Sequence, residues 1–345
     1  MNEKDARAMT VRRVVLTVLC IVLGIILVMM IGGVVYAQHL LSKLNYVDAA
    51  ETVPVQPAEE ISVIDHATVP VLTGSSEPVI DPEAVEFQTY PQALPEDREI
   101  INILLIGQDA VSKTGARSDT MLLCTFNRET DTITLTSFLR DLYVKIPGYS
   151  NNRINAAYSF GGISLLNETL YENFGVEIDG NVQVDFSHFR EIIDLLGGVT
   201  LELTGAEAKF IRKHIPGSTV SEGTNLLSGA EALMYARNRR DVDGDFSRTN
   251  RQRKLLNALM EEYQNKRLTE MLKLLNDVLP MVTTDISKSD LAAYVVTLFP
   301  MLETAEISTQ SIPVADGYHY AKIDGMAVLV PDMEKNRQAL ADSLT

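Results

Sequence analysis

Ile101–Asp141 reads INILLIGQDAVSKTGARSDTMLLCTFNRETDTITLTSFLRD, and this stretch decides the fold. Asn102–Gly107 is an apolar run too short for a helix and closed by glycine, which suits a strand buried on both faces. Thr120–Phe126 and Thr132–Phe138 are β-branched and apolar. Asn127–Asp131 between them has turn composition, so the two form a hairpin. Asp109 follows the first strand, Asp119 precedes the second and Arg140 lies just past the third. Strand ends are where an α/β sheet builds its sites. Loop carboxylates are also commonly solvated or turn-forming, so position alone leaves a site and a plain loop both open.

Downstream of the hairpin, Asn152–Gly162 reads as a loop entering a short helix and Ile163–Phe174 as a helix. Asn181–Phe186 is a strand, Ser187–Leu196 a helix with Ser187 as N-cap and Gly197 at C′, and Val199–Leu203 a strand. Ser228 and Glu231 have the spacing of a capping box, opening a helix through about Arg239. An Asp- and Gly-rich loop, Arg240–Ser247, leads to a longer helix over Arg248–Lys266, with Leu255, Leu256, Leu259 and Tyr263 on its buried side. The tail holds two apolar helices and strands around Ile307–Pro313 and Ala327–Val330. The pattern predicts an α/β (α+β) body with a mixed central sheet.

Upstream, Val14 to Tyr36 carries no charge and is long enough to cross a bilayer core of about 30 Å. Lys4, Arg7, Arg12 and Arg13 precede it, which puts the N-terminus in the cytoplasm and the remainder outside. A cleaved signal peptide would have a shorter apolar region and a small-residue cleavage site, so the reading is an anchor. Residues 45–99 are rich in Pro, Val, Thr and Glu and lack apolar periodicity; they read as a stalk, with short pieces such as Val69–Leu72 docking on the body. The expected order is a cytoplasmic segment 1–13, a transmembrane helix 14–36, a linker 37–98 and a body 99–345.

The formal net charge of −16 argues against a nucleic-acid partner. The two cysteines, Cys20 in the span and Cys124 in a core strand, cannot pair with each other, and a site built from cysteine ligands or a CxxC redox pair is excluded. The 5 histidines are scattered without zinc-like spacing. There is no GxSxG, GxxxxGK[ST] or GxGxxG motif, which disfavours α/β-hydrolases, P-loop enzymes and Rossmann dehydrogenases.

Against the acidic background stand Arg237, Arg239, Arg240, Arg248, Arg251 and Arg253, with Asp241, Asp243 and Asp245 among them. A charge run is ordinarily a solvated face with i, i+4 pairs. However, Arg248 shares a stripe with Gln252, Leu255 and Leu259, so it points along a face that becomes buried. Cations in the first turn of a helix oppose its dipole, and a bound anion would reverse that. Arginine forks suit phosphate oxygens. Asp109 and Asp119 offer hard oxygen donors for Mg²⁺ or Mn²⁺. A divalent cation with a phosphorylated ligand is therefore expected.

With these residues in view, the chain resembles the LytR-CpsA-Psr family of bacterial cell-wall glycopolymer transferases. The likeness rests on ordered blocks: NILLIGQD, ARSDTMLL, SFLRDLYVKIPG, RINAAYSFGG, LLGGV, LSGAEALMYARNRR and DFSRTNRQR. It is closest over Ile101–Arg253 and looser to Asp332. The resemblance implies transfer of an anionic glycopolymer, of teichoic acid or capsule type, from a polyprenyl-pyrophosphate carrier to a peptidoglycan hydroxyl. It implies Mg²⁺ on Asp109 and Asp119, and a catalytic group of Asp109, Asp119 and Arg140. It further implies a pyrophosphate site of Arg117, Arg140, Arg237, Arg239 and Arg248 supported by Gln252 and Asp245, and helices enclosing an apolar tunnel for the lipid. Two departures stand out: Ala110 where many members carry arginine, and Phe138-Leu139 ahead of Arg140 where Ile-Pro is usual. A polyprenyl-pyrophosphate hydrolase and a non-enzymatic wall-binding or regulatory module are the competing functions.

Overall fold

The computed structural model describes residues 39–48, 78–82, 85, 94, 99–108, 118–238, 245–263, 273–274, 276–298 and 300–343. The chain divides into Met1–Leu44 and Asn45–Thr345, and the sheet belongs wholly to the second unit. The expected span Val14–Tyr36 and the segment Val69–Leu72 lie outside the described residues. Among the described residues no helix is long and apolar enough to cross a membrane.

The elements follow in order: β1 (Asn45–Tyr46), β2 (Ile100–Gln108), β3 (Ser118–Asn127), β4 (Thr132–Phe138), β5 (Tyr143–Val144), β6 (Asn152–Arg153), α1 (Ile154–Phe174) and β7 (Gly180–Asp185). Then come α2 (Phe186–Leu195), β8 (Val199–Leu203), α3 (Gly205–His214), β9 (Gly223–Leu227), α4 (Gly229–Arg237) and α5 (Asp245–Tyr263). The chain continues through β10 (Thr283–Thr284), α6 (Lys288–Leu298), α7 (Met301–Thr304), β11 (Glu306–Ile312), β12 (Tyr318–Ile323), β13 (Met326–Pro331) and α8 (Met333–Asp342).

A 7-stranded mixed sheet, in the order β1-β10-β7-β2-β3-β4-β11, carries the body. β2, β3 and β4 form the antiparallel meander expected from the opening stretch, while β7 joins β2 and β11 joins β4 in parallel. The β3–β4 turn is held by Asn127, whose Oδ1 accepts from the amides of Glu129 and Thr130 at 3.0 and 3.1 Å. A side chain that mimics a backbone turn in this way is why asparagine marks such loops. Within the stretch read as stalk, Asn45–Tyr46 pairs with β10 and Val79 bridges to Lys322.

Period-two alternation sorts the strands' side chains onto two faces. Leu104, Ile106, Met121, Leu123 and Phe138 pack against Leu166, Leu170 and Phe174 of α1 and Leu340 of α8. Ile103, Leu122, Cys124 and Leu135 pack on the other face with Leu256 and Met260 of α5, Leu298 of α6 and Met301 of α7. A third cluster joins α2, the β8–β9 hairpin, α3, α4 and Leu255 of α5. Helix α5 thus feeds three cores, because Phe246 in its first turn packs against the first of them.

Several expectations shift in detail. α1 runs from Ile154 but breaks at Gly161 and Gly162, the latter at φ 62°, so one helical segment ends where the second was expected to begin. Helix α2 is capped by Asp185, whose Oδ1 accepts from His188 N at 2.8 Å, rather than by Ser187. The capping box of Ser228 and Glu231 forms as expected, and Thr204 with Glu207 builds a second one at α3. Helix α5 starts at Asp245 rather than Arg248, which moves Arg251 out of the first turn.

Candidate functional site

Strand registers bring the candidate segments to one edge of the sheet. Gln108 at the end of β2 lies opposite Ser118 at the start of β3 and opposite Asp185 at the end of β7. Leu122 of β3 pairs with Ser137 of β4, and Phe138 at the end of β4 pairs with Ile312 at the end of β11. The chain therefore leaves β2 toward Asp109 and re-enters β3 at Asp119 on the edge where β4 hands over to Arg140. The side chains of Asp109, Arg117, Asp119, Arg239 and Asp245 lie outside the described residues. Arg140, Arg237, Arg248 and Gln252 lie within them.

Arg140 follows β4, with its Nε 3.6 Å from Asp141 Oδ2. Asp141 Oδ1 is also 3.3 Å from Arg153 Nη1, and Arg153 Nη2 donates to the Ala327 carbonyl at 2.8 Å. One carboxylate thus stands between two guanidiniums, and the arrangement is tied to the β12–β13 hairpin. Holding Arg140 this way lowers the entropy it would lose on gripping an anion.

Arg237 ends α4 and stands over the Phe186 ring at 4.9 Å. Phe186 opens α2 directly after Asp185, so Arg237 reaches the end of β7, beside the end of β2. Asp185 is occupied as the cap of α2 and pairs with His188 Nδ1 at 2.8 Å.

Arg248 is 2% exposed, so the face it shares with Leu255 is buried as the stripe requires. Gln252, one turn on, is half-buried. Arg253 Nη1 donates to the Gln310 carbonyl of β11 at 3.1 Å, and burial pulls its pKa below the usual arginine range. Further along α5, Leu256 and Met260 lie on the second sheet face. The helix start bearing Arg248 therefore points toward the edge where β4 and β11 end.

Arg251 belongs elsewhere. Its Nε donates to Glu207 Oε1 at 2.7 Å and its Nη1 to the Asn238 carbonyl at 2.8 Å. Burial acts to raise the Glu207 pKa, but bonds from the Thr204 amide, Arg251 and the Thr204 hydroxyl outweigh it and hold the carboxyl below its ordinary value. Among the described arginines of the cluster, Arg251 and Arg253 bond to groups inside the body, Arg237 stands over Phe186 beside the end of β7, and Arg248 is buried on α5.

Sequence reasoning did not single out Tyr158. Its hydroxyl sits 3.0 Å from Gln108 Oε1 and 2.9 Å from Gln183 Oε1, joining the ends of β2 and β7 from α1. Burial pushes its pKa up to about 12, so it stays a neutral donor. Its place in RINAAYSFGG, ahead of two glycines, was the available signal.

Arginines at these strand ends, with the chain running on from β2 to Asp109 and Asp119 at the start of β3, are residue types that suit a phosphorylated ligand. Residues 72–342 match the LytR_cpsA_psr family. The chain is 31% identical over 249 residues to Regulatory protein MsrR of Staphylococcus aureus, covering 71% of this chain and 74% of the relative. It is likewise 31% identical over 230 residues to the polyisoprenyl-teichoic acid–peptidoglycan teichoic acid transferase TagT of Bacillus subtilis, covering 65% and 70%. A solved structure described as TagT bound to LIIa-WTA superposes with a TM-score of 0.60 at 25% identity, over 74% of this chain and 95% of that one. The crystal structure of B. subtilis TagT gives 0.59 at 26% identity, over 76% and 96%. The protein is a member of the LytR-CpsA-Psr family.

Proposed function

We propose that this protein transfers an anionic glycopolymer from a polyprenyl-pyrophosphate carrier to a hydroxyl of a peptidoglycan sugar. What supports the reading is that Arg140 just beyond β4 and Arg237 over Phe186 lie at the strand ends where β2 leads on toward Asp109 and β3 begins beside Asp119, with Arg248 buried in the early turns of α5. In the reaction the acceptor hydroxyl oxygen bonds to the glycan-linked phosphorus, and the bond from that phosphorus to the oxygen of the polyprenyl phosphate breaks. The hydroxyl proton passes to a carboxylate, for which Asp109 and Asp119 are the candidates. Arg140, Arg237 and Arg248 stabilise charge on the leaving polyprenyl phosphate, with Arg117, Arg239, Gln252 and Asp245 as further members. Gln108 and Ser118 stand opposite each other, which brings the entry points of both carboxylates together. Asp109 and Asp119 would hold Mg²⁺ or Mn²⁺, which supplies charge neutralisation on the pyrophosphate when bound.

A lipid path is supported by the second sheet face. Leu105 and Val182 sit on central strands, yet they remain only half-buried, as do Leu256, Met260 and Leu291 opposite. Strands deep in a covered sheet are ordinarily fully buried. An apolar tail laid there would complete their burial at about 25 cal/mol per Å². Val14–Tyr36 would anchor the chain in the membrane where such a lipid resides, with the body outside.

The test is a reconstitution of the full chain in lipid with polyprenyl-pyrophosphate-linked polymer and peptidoglycan. Polymer covalently joined to peptidoglycan is the expected result. Release of free phosphorylated polymer, equal with and without peptidoglycan, would instead show a hydrolase. An intact carrier with retained binding would show the regulatory module that the name of the staphylococcal relative evokes.

A further inference from the structure

The β12–β13 hairpin has two unlike faces. Ala321 and Ile323, with Val328 and Val330 opposite, form an apolar cluster with Tyr143. Tyr318 and Tyr320 lie on the other face, which they share with Leu329, a buried member of the core under α1. Leu329 is buried on that face, Tyr318 is partly buried, and Tyr320 is 52% exposed. Tyr320 is therefore accessible to a ligand from solvent.

Phe246, just ahead of Arg248 in α5, stacks on Tyr318 with ring centroids 5.2 Å apart and planes at 30°. Tyr318 in turn meets Tyr320 edge-on at 5.4 Å and 84°. Leu329, opposite Tyr320, donates its amide to the carbonyl of Asp141, the neighbour of Arg140. The three rings form a row that starts at the helix turn bearing Arg248 and ends alongside the segment bearing Arg140.

We infer that this row is a saccharide subsite that seats the acceptor glycan, a chain of uncharged pyranose rings, beside the arginine site; the inference rests on the transfer reading above. One face of a pyranose presents C–H bonds whose hydrogens are weakly positive, and an aromatic face is negative, so the two stack. Tyrosine hydroxyls add partners for ring hydroxyls. Phe246 and Tyr318 are partly buried against the first core and hold the row in place, while Tyr320 at its end is open to solvent, and an exposed aromatic ring so supported beside a polar site offers a stacking surface for a ligand. The lipid has its own apolar strip on the opposite sheet face. An anionic polymer would depend on cations instead, and Lys322, next on the same hairpin face and exposed, stands at the far end of the row.

The experiment titrates the purified full chain with an N-acetylglucosamine tetrasaccharide, with poly(glycerol phosphate) and with geranylgeranyl pyrophosphate. Wild type, Tyr320→Ala, Tyr320→Phe and Lys322→Ala are compared. Tyr320 is exposed, so its truncation leaves the fold intact. Tetrasaccharide affinity is expected to fall about 3- to 10-fold in Tyr320→Ala and to survive in Tyr320→Phe and Lys322→Ala. Geranylgeranyl pyrophosphate affinity is expected to stay unchanged in all four. Equal tetrasaccharide binding by wild type and Tyr320→Ala overturns the subsite, as does its absence in wild type. A loss confined to poly(glycerol phosphate) overturns it too. A wild-type chain that ignores geranylgeranyl pyrophosphate overturns the transfer reading instead, whatever the saccharide arm shows.

Discussion

Arg251 Nε stands 2.7 Å from Glu207 Oε1 with both side chains buried, on the same helix as Arg248. Two arginines within one helical turn thus have different tasks. One is committed to an internal carboxylate, and the other is the proposed partner of a phosphate.

Breaking that ion pair leaves a buried charge without its partner, so Glu207→Ala is expected to cost about 3–5 kcal/mol of stability. Its pH dependence follows from the lowered Glu207 pKa. A carboxyl depressed in the folded state contributes stability that is complete above its unfolded value, near 4.5, and is lost as pH falls through the folded one. Thermal melts of wild type and Glu207→Gln should therefore differ most near neutrality and converge under acid. A gap that persists at low pH would count against the ion pair as the cause.

Arg248→Ala is expected to weaken binding of geranylgeranyl pyrophosphate by about 10- to 150-fold, the worth of a charge-assisted hydrogen bond of about 1.5–3 kcal/mol. Arg248→Lys should recover only part, because the planar fork is lost while the charge remains. The readout is the ligand-induced rise in melting temperature. An equal rise in wild type and Arg248→Ala would remove this residue from the site.

Mg²⁺ or Mn²⁺ added to the metal-free full chain should raise the melting temperature of wild type but not of Asp119→Asn, since binding to the folded state alone stabilises it. Transfer should stop in EDTA and return on adding Mg²⁺. Full transfer in EDTA would end the metal assignment.

Gly229 opens α4 where a Cβ would collide with the backbone oxygen of Arg190 in α2. Gly229→Ala must push the two helices apart, and with them Arg237 from Phe186. A loss of about 1–3 kcal/mol is expected, as for other overpacked sites, together with weaker pyrophosphate binding. Calorimetric melts and a binding isotherm would check both.

The sheet's middle was legible because Asn102–Gly107 and the runs flanking Asn127 carry local signals, an unbroken apolar stretch and a turn residue. The position of Arg140 was legible for the same reason, since it lies just beyond a readable strand. Strand β9 was not: Leu226 is 62% exposed, so its side chains do not alternate into a clear pattern without β8 beside it. Helix α3 is mostly polar outside Ala208 and Ile211, and its Thr204–Glu207 box went unread. The Asp185 cap was missed because strand β7 passes directly into α2 with no loop to separate them. The roles of Arg251 and Arg253 rest on Glu207 and Gln310, remote partners that no local spacing announces.

β11 closes the sheet by pairing in parallel with every residue of β4, from Glu306–Thr132 to Ile312–Phe138. Side chains reinforce the seam, with Thr134 Oγ1 2.9 Å from Ser308 Oγ and Gln310 Nε2 donating to Thr136 Oγ1 at 3.0 Å. The β2–β3–β4 meander needs only local contacts and can form early, whereas β11 must arrive from 174 positions further along the chain. Until it does, β4 is a bare sheet edge rich in threonine, open to pairing with another nascent copy. A chain cut before Glu306 would keep all the candidate arginines yet leave β4 uncovered and prone to clumping, so covering that edge falls to β11, the last strand to join the large sheet.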